Sequence, residues 1–101
     1  MGDSDLYGGL IRLHILYHAS REPVFGLGII EELGRHGYRL SPGTLYPMLR
    51  ALEQKGYLRS NQTRVNRRMR HVYHITRRGR AALDSAKTKV QELFGELFEK
   101  R

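Results

Sequence analysis

Residues 40–58, LSPGTLYPMLRALEQKGYL, limit the fold of this chain more than any other stretch. Ser41 is a favoured N-cap, whose side-chain oxygen can accept from a free amide of the first turn, and Pro42 follows at the first helical position with its φ already set. Leu45, Leu49 and Leu52 recur at i, i+4 and i+7 with Met48 beside them, so one stripe of the predicted helix faces a core. The opposite side carries Thr44, Pro47, Arg50, Ala51 and Gln54, a thin face that another macromolecule can approach closely. Gly56 is placed to end the helix, and an extended segment begins at Tyr57 and Leu58. Pro47 removes the bond to the Gly43 carbonyl, at about 3 kcal/mol in a helix interior, although Gly43 lets the backbone there adjust. A kink forced by packing and a first turn shaped to enter a groove account for Pro47 equally well.

Upstream, Ser4 or Asp3 can cap a first helix running to about Ala19. Leu6, Leu10, Leu13 and Tyr17 form one apolar stripe, and Tyr7, Ile11 and Ile15 form a second, which implies burial from two sides and hence a partner. Pro23 breaks the pattern. A second helix is predicted over residues 24–35, with Leu27, Ile30 and Leu33 as its apolar stripe, Glu31 and Glu32 toward water and Gly37 to close it. Two helices joined by a short turn, the second with a thin and partly basic outer face, fit a helix-turn-helix.

Downstream of Gly56, residues 57–63 and 69–75 carry β-branched and aromatic side chains around a basic tip at residues 64–68, which predicts a β-hairpin. Residues 55–83 contain no acid, yet Arg59, Arg64, Arg67, Arg68, Arg70, Arg77, Arg78 and Arg80 all lie there. The whole chain of 101 residues has 18 Lys plus Arg against 10 Asp plus Glu, so its net charge of +8 is concentrated beside the capped helix. Guanidinium groups with no counter-charge repel one another unless an anion meets them, which favours phosphate contact over a merely solvated face. Thr76 then caps a last helix to about Lys100, where Leu83, Ala86, Val90, Leu93 and Leu97 alternate steps of three and four and Phe94 and Phe98 widen the stripe. This seam points to a homodimer in which Tyr7, Ile11 and Ile15 meet Val90, Leu93, Phe94, Leu97 and Phe98 of a second copy. The expected fold is mainly α with a small β-hairpin, namely a winged helix-turn-helix over residues 1–76 and a dimerisation helix over 77–101, packed as one unit.

Catalysis finds little support. No nucleophile with a base and no paired carboxylates stand in convincing positions, so no enzyme activity and no cofactor are expected. His14 and His18 at i, i+4 could face a metal ion, but the sequence places no third ligand, and they read instead as the polar edge of a dimer helix. His71 and His74 alternate in the wing as strand or phosphate-facing residues. With no cysteine, no apolar run long enough to span a membrane and no leader at MGDSD, the expected setting is cytoplasmic and nucleoid-associated.

The stretch S-P-G-T-L-Y-P followed by a leucine pair and E-x-x-G closely resembles the recognition-helix signature of PadR-like transcriptional regulators. HVYHITRRGRAAL resembles that family's second wing strand and the start of its last helix, and with FGLGIIEEL the likeness spans roughly residues 6–83. It implies a dimeric, repressor-type winged helix whose residues 41–55 enter the major groove of double-stranded DNA while the wing follows the backbone and the last helix crosses to the other subunit. Ser41, Gly43, Thr44, Tyr46 and Arg50 are then candidates near base edges or flanking phosphates, although the Tyr46 ring can also pack under the helix. Arg64, Arg67, Arg68 and Arg70 are candidates for backbone or minor-groove contact. Two departures stand out: Phe25, Gly26 and Leu27 replace a frequent His-Gly-Tyr, and Arg77 and Arg78 follow the cap threonine where an acid is usual. Cations there oppose the helix dipole by about 0.3–1 kcal/mol each, a cost that a bound phosphate offsets, and Arg77 therefore joins the DNA candidates. Some relatives respond to small aromatic or drug-like molecules at the dimer interface, and Tyr7, Tyr17, Phe94 and Phe98 are the residues available to line such a pocket. The expected function is sequence-specific regulation, by repression through occlusion. The competing class is a nucleoid or RNA-binding module that uses the same basic wing without sequence choice.

Overall fold

Four helices and a three-stranded antiparallel sheet make up residues 4–99, which the computed structural model describes. In chain order they are α1 (Ser4–Arg21), β1 (Val24–Phe25), α2 (Gly26–Arg35), α3 (Pro42–Gln54), β2 (Leu58–Val65), β3 (Arg68–Ile75) and α4 (Arg77–Phe98). The expected cap at Asp3 and the expected helix end at Lys100 lie outside the described residues. The sheet order is β1-β3-β2. The hairpin is there as predicted, but its tip is tighter: the strands pair up to Val65 and Arg68, leaving Asn66 and Arg67 as a two-residue turn. Both turn residues have positive φ, 51° and 69°, the mirror-image geometry that matches the twist of the flanking strands.

Strand β1 was not predicted. Val24 and Phe25, read as the start of the second helix, instead pair with Tyr73 and Val72 of β3. A two-residue strand has no periodicity to detect, and its pairing depends on β3, which lies far along the chain. The second helix accordingly begins at Gly26.

Helices α2 and α3 end in the same way. Gly37 and Gly56 take φ of 92° and 83°, and Tyr38 N–H and Tyr57 N–H donate back to Leu33 and Leu52 carbonyls at 2.9 and 3.0 Å. Only a glycine adopts that left-handed geometry cheaply, so each marks the C-terminus of a helix in the sequence itself.

The core contains Ile11, Ile15 and Leu16 from α1, Ile29 and Leu33 from α2, Leu45, Met48, Leu49 and Leu52 from α3, and Leu58, Tyr73 and Leu83. Two stripe assignments require correction. On α1, Ile11 and Ile15 are 1% and 0% exposed inside this chain's own core, so they are not a free face for a second copy, while Leu6 is 73% exposed and Leu10 and Tyr17 are also largely open. Both stripes are equally apolar, and position along α2 and α3 decides which one turns inward. On α2, Ile29 and Leu33 are buried and Ile30 packs partly against the core, whereas Leu27 is 59% exposed, so the inward stripe is centred away from Leu27.

Helix α4 spans 22 residues, roughly 33 Å at 1.5 Å per residue. Leu83 docks it to the core near its start, and past that point Val90, Leu93, Phe94, Leu97 and Phe98 are all exposed. Phe94 and Phe98 pack against each other with ring centroids 4.9 Å apart and planes tilted by 50°. Among the described residues no helix is long and apolar enough to cross a membrane.

Candidate nucleic-acid interface

The front of α3 is built as its sequence suggests. Ser41 is the N-cap, its Oγ accepting from the Thr44 amide at 3.3 Å, and Pro42 opens the helix. Ser41, Pro42, Gly43, Thr44, Pro47 and Arg50 are exposed, while Leu45, Met48, Leu49 and Leu52 are buried behind them. Pro47 lies inside the helix without interrupting it. The exposed side is therefore small and polar, with one cation, Arg50.

Tyr46 is placed differently from the other candidates on α3. Its ring is half-buried against the core, and its hydroxyl end is pressed to the backbone of Gly26 at the start of α2. Its expected position near base edges is corrected accordingly: the ring is a spacer between the two helices, and only its open edge faces the hollow between α2 and the wing.

The wing is tied to α3 by Glu53. Its Oε2 accepts from the Ser60 amide at 3.1 Å and from the Ser60 hydroxyl at 2.8 Å, so β2 leaves the helix at a held angle. Behind this junction Tyr73 is buried, and its phenol is pushed above the usual range by that burial first and then by Glu53 and Tyr46. The hairpin is extended by cross-strand pairs on both faces: His71 meets the Ser60 hydroxyl at 3.2 Å and His74 meets Asn61 Oδ1 at 2.7 Å. Both histidines of the wing are thus spoken for within the sheet.

The register distributes the wing arginines. Arg64 pairs with Met69, Thr63 with Arg70 and Val65 with Arg68, so by strand alternation Arg64 lies on one face and Arg68 and Arg70 on the other, with Arg67 at the tip. Arg64, Arg67 and Arg68 are exposed. Arg70 is half-buried, with its guanidinium 4.4 Å above the Phe25 ring, a cation–π contact that leaves its outer edge open. Among the described residues the acids pair only with Arg35, Lys87, His18 and His36, so the arginines of residues 55–83 have no carboxylate partner.

The first turn of α4 belongs to the same corner. Thr76 caps it, accepting from the Gly79 amide at 2.9 Å while donating to the Gly56 carbonyl at 2.6 Å. One hydroxyl thus ends α3, starts α4 and joins them. Arg77 projects into solvent, and no acid occupies that turn. The need for glycine at position 79 was not legible in the sequence: a Cβ there would collide with the Tyr57 carbonyl and stand 2.8 Å from Ile75 Cγ1.

A groove of about 530 Å³ opens between α1 and α4, lined by Leu10, Leu13, Tyr17, Leu83 and Val90 among others. Of the four aromatic residues expected to line an effector pocket, Tyr17 lies in it. Tyr7 instead packs edge-on against Tyr38 at 6.0 Å, and Phe94 and Phe98 sit farther along α4.

A helix-turn-helix followed by a basic hairpin and framed by α1 and α4 defines a winged-helix domain of the kind found in transcriptional regulators. The chain belongs to the transcriptional regulator PadR-like family, whose model matches residues 15–85. It is 51% identical over 88 residues to the transcriptional regulator Rv3488 of Mycobacterium tuberculosis, covering 87% of this chain and 82% of that one. The crystal structure of a PadR family transcriptional regulator from Eggerthella lenta superimposes with a TM-score of 0.80 at 29% identity, covering 96% of this chain and 88% of that one. A PadR-like transcriptional regulator from Bacillus cereus gives 0.82 at 26% identity, covering 97% and 100%. The mainly helical fold with its small sheet is the one these proteins share, and membership in a family of transcriptional regulators implies DNA binding.

Proposed function

We propose that the chain is a homodimeric, sequence-specific repressor that occludes its operator, with one α3 reading each half-site in the major groove and the wing arginines on the flanking backbone. The observation that carries this reading is the exposed polar front of α3, with Ser41, Gly43, Thr44 and Arg50, beside an arginine wing that has no acid of its own. Phosphate contacts position such a protein and base contacts specify its site, and the two sets of residues divide along that line.

The dimer is supported by the exposed apolar surface of Val90, Leu93, Phe94, Leu97 and Phe98 on α4, together with Leu6, Leu10 and Tyr17 on α1. Patches of this extent on a small protein mark an interaction surface. The groove between α1 and α4 would then take up side chains of the second copy, or a small apolar effector at the same interface.

The test is affinity for a fragment of the gene's own promoter against scrambled DNA of equal length, measured over a range of salt. Tighter promoter binding, by about a thousandfold or more, is the expected result. A ratio near one would assign the chain to non-specific nucleoid or RNA binding instead.

A further inference from the structure

His14 and His18 on α1, which on sequence lack a third ligand, gain one from α2. His36, the C-cap residue of α2, brings its ring against them, and one ring nitrogen from each of the three lies within 4.8 Å of the others. The His14 and His36 rings stack with centroids 4.7 Å apart, and those of His18 and His36 are 5.8 Å apart. Glu32, one turn before His36, directs Oε2 at the same point, 3.3 Å from His36 Nε2 and 3.7 Å from His18 Nε2. Its other oxygen accepts from Arg35 Nη1 at 2.6 Å, which holds the carboxylate in place.

One atom in this cluster lacks a partner. Nε2 of His18 is buried and has no hydrogen bond among the described residues, a condition native structures avoid because it forfeits the hydration of a polar group.

We propose that His14, His18, His36 and Glu32 form a binding site for one divalent d-block cation of the zinc class. Three imidazoles and a carboxylate are donors that such ions accept, and four of them complete a tetrahedron. Metal–nitrogen bonds of about 2.0–2.1 Å put the nitrogens of such a site roughly 3.3 Å apart. The present spread closes by rotation of side chains, chiefly that of His36, which is 41% exposed. A ligating carboxylate is commonly oriented by a further hydrogen bond, and Arg35 supplies it. The simpler account, a carboxylate shared by two imidazolium rings, leaves His18 Nε2 unsatisfied, whereas an ion satisfies all four groups at once. Bound there, the ion would fasten α1 to the first helix of the helix-turn-helix. None of these four residues is assigned to DNA, so the site stands or falls separately from the DNA reading.

The test is calorimetric titration of ZnCl2 into the full chain, purified without a histidine tag and dialysed against chelator, with Co²⁺ as the optical probe. The expected result is one Zn²⁺ per chain, a tetrahedral Co²⁺ visible spectrum, and affinity at least about tenfold weaker in His36→Gln and in His14→Gln, with His74→Gln unchanged. Position 36 lies at a helix end, so His36→Gln leaves the fold intact, which circular dichroism verifies. Equal affinity in the parent and His36→Gln, no Zn²⁺ uptake by the parent, or loss of binding in His74→Gln would each overturn the site.

Discussion

The phenol of Tyr46 on α3 lies against the backbone of Gly26 at the start of α2, so closely that any side chain at position 26 would overlap the ring. The contact sets how the two helices of the helix-turn-helix cross. It also turns inward the one aromatic residue on the front of α3, leaving that front small and polar.

Gly26→Ala should therefore destabilise the domain by about 1–3 kcal/mol, the cost of overpacking a fitted site. Chemical denaturation would show it as a lower midpoint with unchanged slope. Tyr46→Leu in the same background should recover much of the loss, because the two positions touch and their effects are not additive. A double variant as unstable as the sum of the single ones would contradict the contact.

The Thr76 hydroxyl bonds both the end of α3 and the start of α4. Thr76→Val should lower stability by about 0.5–2 kcal/mol, the range for a lost N-cap, and Thr76→Ser should restore most of it. Thermal unfolding of the three proteins checks this; a valine variant as stable as the parent would show the bonds to be dispensable.

Arg67 sits in the two-residue wing turn at φ 69°, a conformation that suits glycine or asparagine far better than arginine. Arg67→Gly should stabilise the hairpin by about 1 kcal/mol, the penalty of left-handed backbone for a residue with a side chain. On the proposed reading of the wing, the same variant should bind DNA more weakly and with a shallower salt dependence, as expected for the loss of one phosphate contact. Unfolding curves and salt titrations together decide; a variant that is less stable, or binds DNA as tightly as the parent, would deny that the tip trades stability for charge.

Leu93 and Leu97 are exposed on the far part of α4. Leu93→Asp combined with Leu97→Asp should turn a dimer into a monomer in light scattering and remove tight operator binding while leaving the monomer's helical content. A variant that stays dimeric would place the subunit interface elsewhere, and a monomeric parent would contradict the proposed dimer.

Much of this was written in the chain, and the parts that were not share a physical reason. The cap at Ser41, the proline after it and the glycines at 37 and 56 act through their own backbones, so α3 and the ends of both helices were legible locally. The hairpin was legible from its β-branched residues and its basic tip, though not the tight turn at Asn66 and Arg67. What failed depended on packing between segments distant in sequence. Nothing local says that Ile11 and Ile15 rather than Leu6 and Leu10 turn inward, since either stripe suffices for a core. Val24 and Phe25 become a strand only because β3 offers its free edge. The approach of Tyr46 to Gly26, and of His36 to His14 and His18, appears only once α1, α2 and α3 are assembled.

Arg50 is the single cation on the exposed side of α3, and the reading of that helix as the half-site reader bears most directly on it. The decisive measurement is the affinity of Arg50→Ala for promoter and scrambled DNA, beside that of Arg68→Ala in the wing. Arg50→Ala should lose about 1–3 kcal/mol on the promoter fragment with little change on scrambled DNA, whereas Arg68→Ala should weaken both and reduce the salt slope by about one. Equal losses on both DNAs for Arg50→Ala would contradict the assignment of α3 as the element that reads sequence.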